Sequence, residues 1–292
     1  MIRLIALDLD GTTLRSDGTL SDRTKKALKE AIKRGVHVVV ASGRSFHSLP
    51  LCLREIQGLE YAISSNGAAI SRMLDGTCLY RNCMEEEKVL EILELMEPYP
   101  VSLEGFVDGV PYASREYVEN PAAFGAPPGS FPYIRRTRRP VEHIREFIRE
   151  NRTRVDAIDI LAADVEFKRE IEARLAALGG LYVTSSVPHL VEIGNKTAGK
   201  ASALAWLSEF LGISREEILA CGNADNDRDM ILYAGVGAAV DNSSDSLKAA
   251  ADVVTADNDH DGVAVVIEKM VLRGEFDGKR SKDQCNAFIG KE

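Results

Sequence analysis

Ile2-Arg3-Leu4-Ile5-Ala6-Leu7, followed at once by Asp8-Leu9-Asp10-Gly11-Thr12, opens the chain and decides its fold. The first six residues are nearly all apolar and lack the polar alternation of a half-exposed strand, so they read as a strand buried on both faces of a parallel sheet. The run ends on a carboxylate. A similar rhythm follows: Ser21 offers an N-cap, Ala27, Leu28, Ala31 and Ile32 recur at helical spacing, and Gly35 supplies a stop. Val36 to Ala41 is a second buried strand ending at Ser42-Gly43-Arg44, and Tyr61 to Ser64 is a third ending near Asn66-Gly67. Strand, helix and strand in succession imply right-handed crossovers and helices on both faces of one sheet.

From about Asn82 to Pro188 the rhythm is lost. Helical patterns such as Glu85 to Met96 alternate there with short strand candidates and a Pro/Gly-rich loop from Asn120 to Pro132. It resumes with an amphipathic helix over Ala201 to Leu211, a strand over Ile218 to Cys221, helical Met230 to Tyr233, a strand over Val236 to Val240 and a terminal helix over Val263 to Val271. The flanking halves share one architecture and the middle does not. The expected fold is therefore α/β: a doubly wound, Rossmann-like parallel-sheet core over 1–81 and 189–292, with an inserted α+β cap domain over 82–188. The tail after Arg273 is polar and aperiodic and is expected to be peripheral.

Composition narrows the function. The chain has 292 residues, 45% hydrophobic and 28% charged, the balance of a globular protein with a real core. A formal net charge of -9 disfavours nucleic acid or an anionic membrane as partner, although a locally positive pocket can still hold an anion. No apolar run reaches the length of a membrane span. The N-terminus meets an acid too early for a signal peptide. The cysteines, Cys52, Cys78, Cys83, Cys221 and Cys285, are odd in number, scattered and without a CxxC pair, which argues against a disulfide framework or a zinc site and for a cytoplasmic location.

In a parallel α/β sheet all strands present their C-terminal ends at one edge, where ligands bind. Asp8, Ser42 and the run Gly222-Asn223-Ala224-Asp225-Asn226-Asp227 therefore converge although far apart in sequence. Carboxylates so crowded repel one another unless a divalent cation joins them, and hard oxygens without nearby histidine or thiol favour Mg2+ over zinc. Each element has a plainer reading. Asp-Leu-Asp-Gly-Thr alone is compatible with a strand running into a turn, Ser42-Gly43-Arg44 with a helix cap, and Asn66-Gly67 with a simple turn. His37 reads as a core or packing histidine, His260 as part of a loop capping the last helix, and Arg135 to Arg139 as a solvated basic surface.

Taken together, Asp8 to Thr12 resembles the DxDGT signature of haloacid dehalogenase phosphatases, and Ser42-Gly43-Arg44 is similar to their second motif. Lys200 resembles the third and Gly222 to Asp227 the fourth, usually GDxxND; the large insert resembles the Cof-type branch. The resemblance spans nearly the whole chain. It implies a magnesium-dependent phosphatase of small phosphate esters, sugar phosphates foremost. Asp8 would be the nucleophile, Asp10 the acid and base, and Lys200 the cation on Asp8 and the phosphate. Ser42, Gly43, Arg44, Asn66 and Asn226 would hold phosphate or substrate, and Asp8, Asp10, Asn223 and Asp227 would serve the metal. Two departures stand out. Lys200 precedes Ala201 where the motif has glycine, with Lys196 as a rival that is less favoured because Lys200 abuts the next helix, and Asn223 replaces the usual aspartate. The alternatives are a phosphomutase on the same scaffold and a phosphorylatable receiver module. Asp10, the insert and the fourth motif speak against the receiver. A dinucleotide-binding oxidoreductase is disfavoured because no GxGxxG turn follows the first strand.

Overall fold

The computed structural model describes residues 1–162, 164–186 and 190–275. Strand β1 (Leu4–Leu7) leads through the helix Asp22–Lys33 to β2 (His37–Ala41) and then to β3 (Tyr61–Ser64). The hairpin β4 (Ala69–Arg72) and β5 (Cys78–Arg81) follows. Next come β6 (Leu103–Val107), β7 (Val110–Ser114), β8 (Arg139–Val141), β9 (Val155–Leu161), β10 (Leu181–Thr184) and β11 (Leu190–Asn195). After the helix Lys200–Phe210, the chain forms β12 (Ile218–Gly222), β13 (Val236–Ala239) and β14 (Val253–Val254). These elements pack as two compact units, one made of Met1–Ser42, Leu51–Ala62 and the chain from Lys200, the other of Gly43–Pro50 and Ile63–Gly199.

In the first unit the strands run β14-β13-β12-β1-β2, all parallel. Every residue of β1 is buried, as a strand covered on both faces requires. Leu7 pairs with Val40 of β2 on one side and Cys221 of β12 on the other. Strand order reverses about β1, and the crevice at its C-terminal end is the switch point where such sheets bind ligands. The helix Asp22–Lys33 starts where Ser21 Oγ accepts the Thr24 N–H, and it buries Thr24, Ala27, Leu28 and Ala31. Its apolar stripe is the one the spacing predicts.

The second unit holds a six-stranded sheet of order β10-β11-β9-β6-β7-β8, antiparallel except where β7 meets β8. Leu103, Ile158, Ile160, Val191 and Ile193 share one core with Val89, Ile92, Ile148, Ile171 and Leu175 from the helices Glu86–Met96, Ile144–Glu150 and Val165–Leu178. Side chains alternate along a strand, so Glu104, Asp159 and Glu192 turn to the opposite face.

Most sequence-derived elements lie within a residue or two of those observed. The Asn120 to Pro132 loop contains two short 3-10 turns, Pro121–Phe124 and Pro128–Ser130, and its end begins the helix Phe131–Thr137. The last helix runs Gly262–Ile267 and widens into a π turn over Glu268–Leu272. Of the two readings of His37, packing holds and core does not: it begins β2 half-buried, and its Nδ1 lies 2.8 Å from Glu60 Oε2. Arg138 departs from the solvated basic surface expected of its segment, because its side chain turns inward to Glu104. The tail from 276, Cys285 with it, and the boundary residue Pro188 lie outside the described residues.

Candidate active site

At Asp8 the first strand gives way to a loop. The Asp8 N–H still pairs with Cys221 O at 2.9 Å, after which Leu9–Thr13 forms a wide turn with Asp10 extended and Gly11 left-handed at φ +74°. A side chain at position 11 would place its Cβ 2.6 Å from Asn223 Nδ2, so both backbone and space call for glycine. Thr13 Oγ1 donates to Asp8 O at 2.5 Å, and Asn242 Nδ2 to Gly11 O at 2.8 Å. The first bond ties the loop back to the end of β1, and the second ties it to the segment after β13.

Lys200 begins the helix Lys200–Phe210 and is 1% exposed. Its Nζ donates to Asp8 Oδ1 at 2.7 Å and to Asp227 Oδ1 at 2.6 Å. Lys196, the rival, is exposed and lies 3.2 Å from Glu85 instead. Asp227 Oδ2 accepts the N–H groups of Asn223 and Ala224 at 2.9 and 3.0 Å. Two buried carboxylates thus share one buried ammonium. Burial first, then Asp227, pushes the Asp8 carboxyl up to about 7 against the opposing pull of Lys200. Burial works against the charge of Lys200, but Asp227 and Asp8 outweigh it and hold the ammonium above its ordinary range.

The other candidates of this unit gather at the same strand ends. Asn223 Oδ1 accepts the Thr12 hydroxyl at 3.0 Å. Ser42 is buried directly after β2, Asn226 is buried in the turn Asp225–Asp227, and Asp10 is exposed. In the second unit, Arg44 stacks over the Tyr133 ring at 4.3 Å and donates to Ser48 O at 3.2 Å, while its carbonyl accepts the Ser65 N–H at 2.9 Å. Asn66 Nδ2 donates to Glu192 Oε1 at 3.2 Å, and a Cβ at Gly43 would lie 2.9 Å from that same oxygen.

Residue-by-residue reading missed the acids of the second sheet. Glu192, Asp159 and Glu104 are not among the site residues expected from the sequence. One signal was available: Val155-Asp156-Ala157-Ile158-Asp159-Ile160-Leu161 sets two acids in an otherwise apolar strand. Among the described residues, no group of three or more His, Cys, Asp and Glu is arranged to hold a metal, and no helix is long and apolar enough to cross a membrane.

A buried carboxylate and lysine at the switch point of a parallel sheet is the layout of an α/β enzyme. The chain belongs to the haloacid dehalogenase-like hydrolases, whose family model matches residues 5–267. It is similar to Phosphatase YwpJ of Bacillus subtilis, 29% identical over 92% of this chain and all of that one. It is also similar to the 5-amino-6-(5-phospho-D-ribitylamino)uracil phosphatase YcsE of the same organism, 28% identical over 93% of this chain and 96% of that one. Among solved structures, a haloacid dehalogenase-like hydrolase from Bacteroides thetaiotaomicron superposes with a TM-score of 0.77 at 28% identity, over 92% of this chain and all of that one. The protein is a phosphoric monoester hydrolase, and phosphotransferases of its superfamily generally use a divalent metal.

Proposed function

We propose that this enzyme is a magnesium-dependent phosphatase of small phosphorylated metabolites, sugar phosphates foremost, working through an aspartyl phosphate on Asp8. The observation that carries the reading is the buried Lys200 shared by Asp8 and Asp227. An in-line nucleophile must be rigid and ionised, and the transferred phosphoryl group needs its charge met by fixed donors. Asp8 sits at a strand end, and Lys200 pulls its carboxyl toward the ionised form against burial. Its carboxylate oxygen attacks phosphorus as the bond to the leaving oxygen breaks, and Asp10 gives that oxygen a proton. Water then attacks phosphorus, Asp10 takes the proton back, and inorganic phosphate leaves with Asp8 restored. Ser42, Gly43, Arg44, Asn66 and Asn226 are assigned to the phosphate and the leaving group.

The chemistry of the donor set fits magnesium. Hard oxygens crowd a nucleophile that burial and neighbouring acids already push up to about 7, and a divalent cation relieves that repulsion. Asp8, the Asp10 backbone carbonyl and Asn223 would hold the ion. Asp227, with one oxygen on Lys200 and the other on two amides, would serve it from behind by fixing Asn223. Once bound, the ion would neutralise charge on the phosphoryl oxygens. Chemistry is assigned to the first compact unit and choice of leaving group to the second, which holds the expected cap, 82–188, together with residues 43–50, 63–81 and 189–199.

The test is phosphate release from p-nitrophenyl phosphate and a panel of sugar phosphates with magnesium present, for wild type and Asp8→Asn. Many turnovers per enzyme are expected from the wild type, and a loss of roughly a hundredfold or more in the variant, as befits a lost nucleophile. A variant free of wild-type protein that keeps more than that rules out the assignment. Transfer of the group to a second sugar, without free phosphate, points to a mutase. A single phosphorylation without turnover points to a receiver.

A further inference from the structure

The second unit carries buried acids that this mechanism does not use. In the register of β11, β9 and β6, Glu192 pairs with Asp159 and Asp159 with Glu104. Three carboxylates therefore form one row across three strands. Like charges directly opposite one another destabilise a sheet, and burial removes the water that would screen them. Glu104 is compensated by Arg138, which grips it with two hydrogen bonds of 2.9 and 2.7 Å. Among the described residues Glu192 has only neutral donors, Asn66 Nδ2 at 3.2 Å and the Ser186 N–H at 2.5 Å. Asp159, 6% exposed, has no hydrogen bond or ion pair among the described residues. Burial, reinforced by Glu192 and Glu104 and only partly offset by Arg138, holds its carboxyl well above the usual carboxylate range.

A second observation points to a ligand. Gly43, Ser65, Asn66, Asp159, Tyr182 and Glu192 help to line a cavity of ≈ 10 Å³, room for about one water-sized group. Ser65 is 5% exposed, and its hydroxyl has no hydrogen-bond partner among the described residues. It is held there by left-handed backbone at φ +47°, a conformation that costs a non-glycine residue free energy. Two acids without a cationic partner among the described residues, Asp159 and Glu192, an unused hydroxyl and a strained turn face one small space.

We infer that this cavity is a subsite for one compact, positively charged N–H donor, a protonated primary amine, bound by the Asp159 and Glu192 carboxylates and the Ser65 hydroxyl. The lining is rich in acceptors and lacks one positive charge, and its size suits an ammonium head but not a sugar ring. Magnesium does not suit it, because the oxygens of Glu192 already accept N–H donors and too few remain for an octahedral shell. The amine has two sources, an amino group on the ester's leaving group or a free ammonium ion. The first rests on the phosphatase reading; the second does not.

The test uses the full-length protein, Asp159→Asn and Ser65→Ala. Glucosamine 6-phosphate and glucose 6-phosphate differ by an amine in place of a hydroxyl, so the ratio of their kcat/KM values with magnesium reads the subsite. A wild-type preference of roughly tenfold or more for the amine is expected from a charge-assisted hydrogen bond, lost in Asp159→Asn and reduced in Ser65→Ala. A free-ion source shows instead as a melting temperature raised by ammonium chloride but not by tetramethylammonium chloride at equal ionic strength, again lost in Asp159→Asn. Neither effect in the wild type, or either one surviving in Asp159→Asn, overturns the inference. If p-nitrophenyl phosphate is hydrolysed while both effects are missing, the subsite alone falls. If no ester is hydrolysed but ammonium stabilises the wild type, the phosphatase reading alone falls.

Discussion

Asp8 pairs a useful position with a stability cost. Its carboxyl is pushed up to about 7 in the folded protein, from about 3.9 in an unfolded chain. A group raised on folding contributes stability that is fully present below the unfolded value and is lost as pH rises through the folded one. Metal-free wild type should therefore weaken between about pH 4 and pH 7 relative to Asp8→Asn, which has no such proton to lose. The gap should reach on the order of a few kcal/mol and stay flat above about pH 7, by the linkage between pKa and stability. Urea unfolding of both metal-free proteins at several pH values measures it, and a gap independent of pH would contradict the assignment. Asn223 poses the complementary question, since an amide oxygen offers magnesium a dipole where an aspartate offers a charge. Asn223→Asp should lower the magnesium concentration needed for half-maximal activity and Asn223→Ala should raise it. Superimposable magnesium titrations of the three proteins would mean that Asn223 does not touch the metal.

The loops after the strands set the geometry, and glycine makes some of them possible. Gly222 ends β12, and a Cβ there would lie 2.4 Å from Asp227 Cβ, too close for either residue to stay in place. Asp227 holds Lys200 and two loop amides, so its displacement would disturb the nucleophile's partner as well as the loop. Gly222→Ala should cost about 1–3 kcal/mol, as overpacking does, and should also lower kcat at saturating substrate and magnesium. Gly129→Ala, with nothing within 4 Å of the added Cβ, serves as the control and should match wild type. A Gly222→Ala enzyme with wild-type melting temperature and kcat would show that the contact with Asp227 is not needed. Elements of this kind were legible in sequence because their causes are local. β1 is a short apolar run closed by Asp8, and the Asp22–Lys33 helix carries its own cap and stripe. What was not legible depends on partners far along the chain. Arg138 sits among solvated arginines, and only Glu104, 34 positions earlier, turns its side chain inward. Asp159 gains its meaning from Glu192 and Glu104 on neighbouring strands, a pairing that no local period reveals.

The two units are assigned different tasks, and this division has a kinetic signature. Asp8, Lys200, Asn223 and Asp227 belong to the first unit, while Arg44, Asn66 and the acid row belong to the second. If the first makes contacts that every substrate shares, removing one should lower kcat/KM by a similar factor for all esters, because the loss is in phosphoryl stabilisation. If the second reads the leaving group, removing one of its contacts should cost much for sugar phosphates and little for p-nitrophenyl phosphate. Asn223→Ala and Asn66→Ala are suitable probes: Asn223 bonds to Thr12 and Asp227, Asn66 to Glu192. These bonds share no residue, so their effects on RT ln(kcat/KM) should add to within about 0.5 kcal/mol in the double variant, as for independent sites. The measurement is kcat/KM for wild type, both single variants and the double variant across p-nitrophenyl phosphate and several sugar phosphates. Asn223→Ala should leave the substrate ranking intact, and Asn66→Ala should compress it. A ranking reordered by Asn223→Ala, or one left untouched by Asn66→Ala, would show that chemistry and selection are not divided between the units in this way. The sign of any non-additivity would then show whether the two asparagines support or oppose each other in binding the ester.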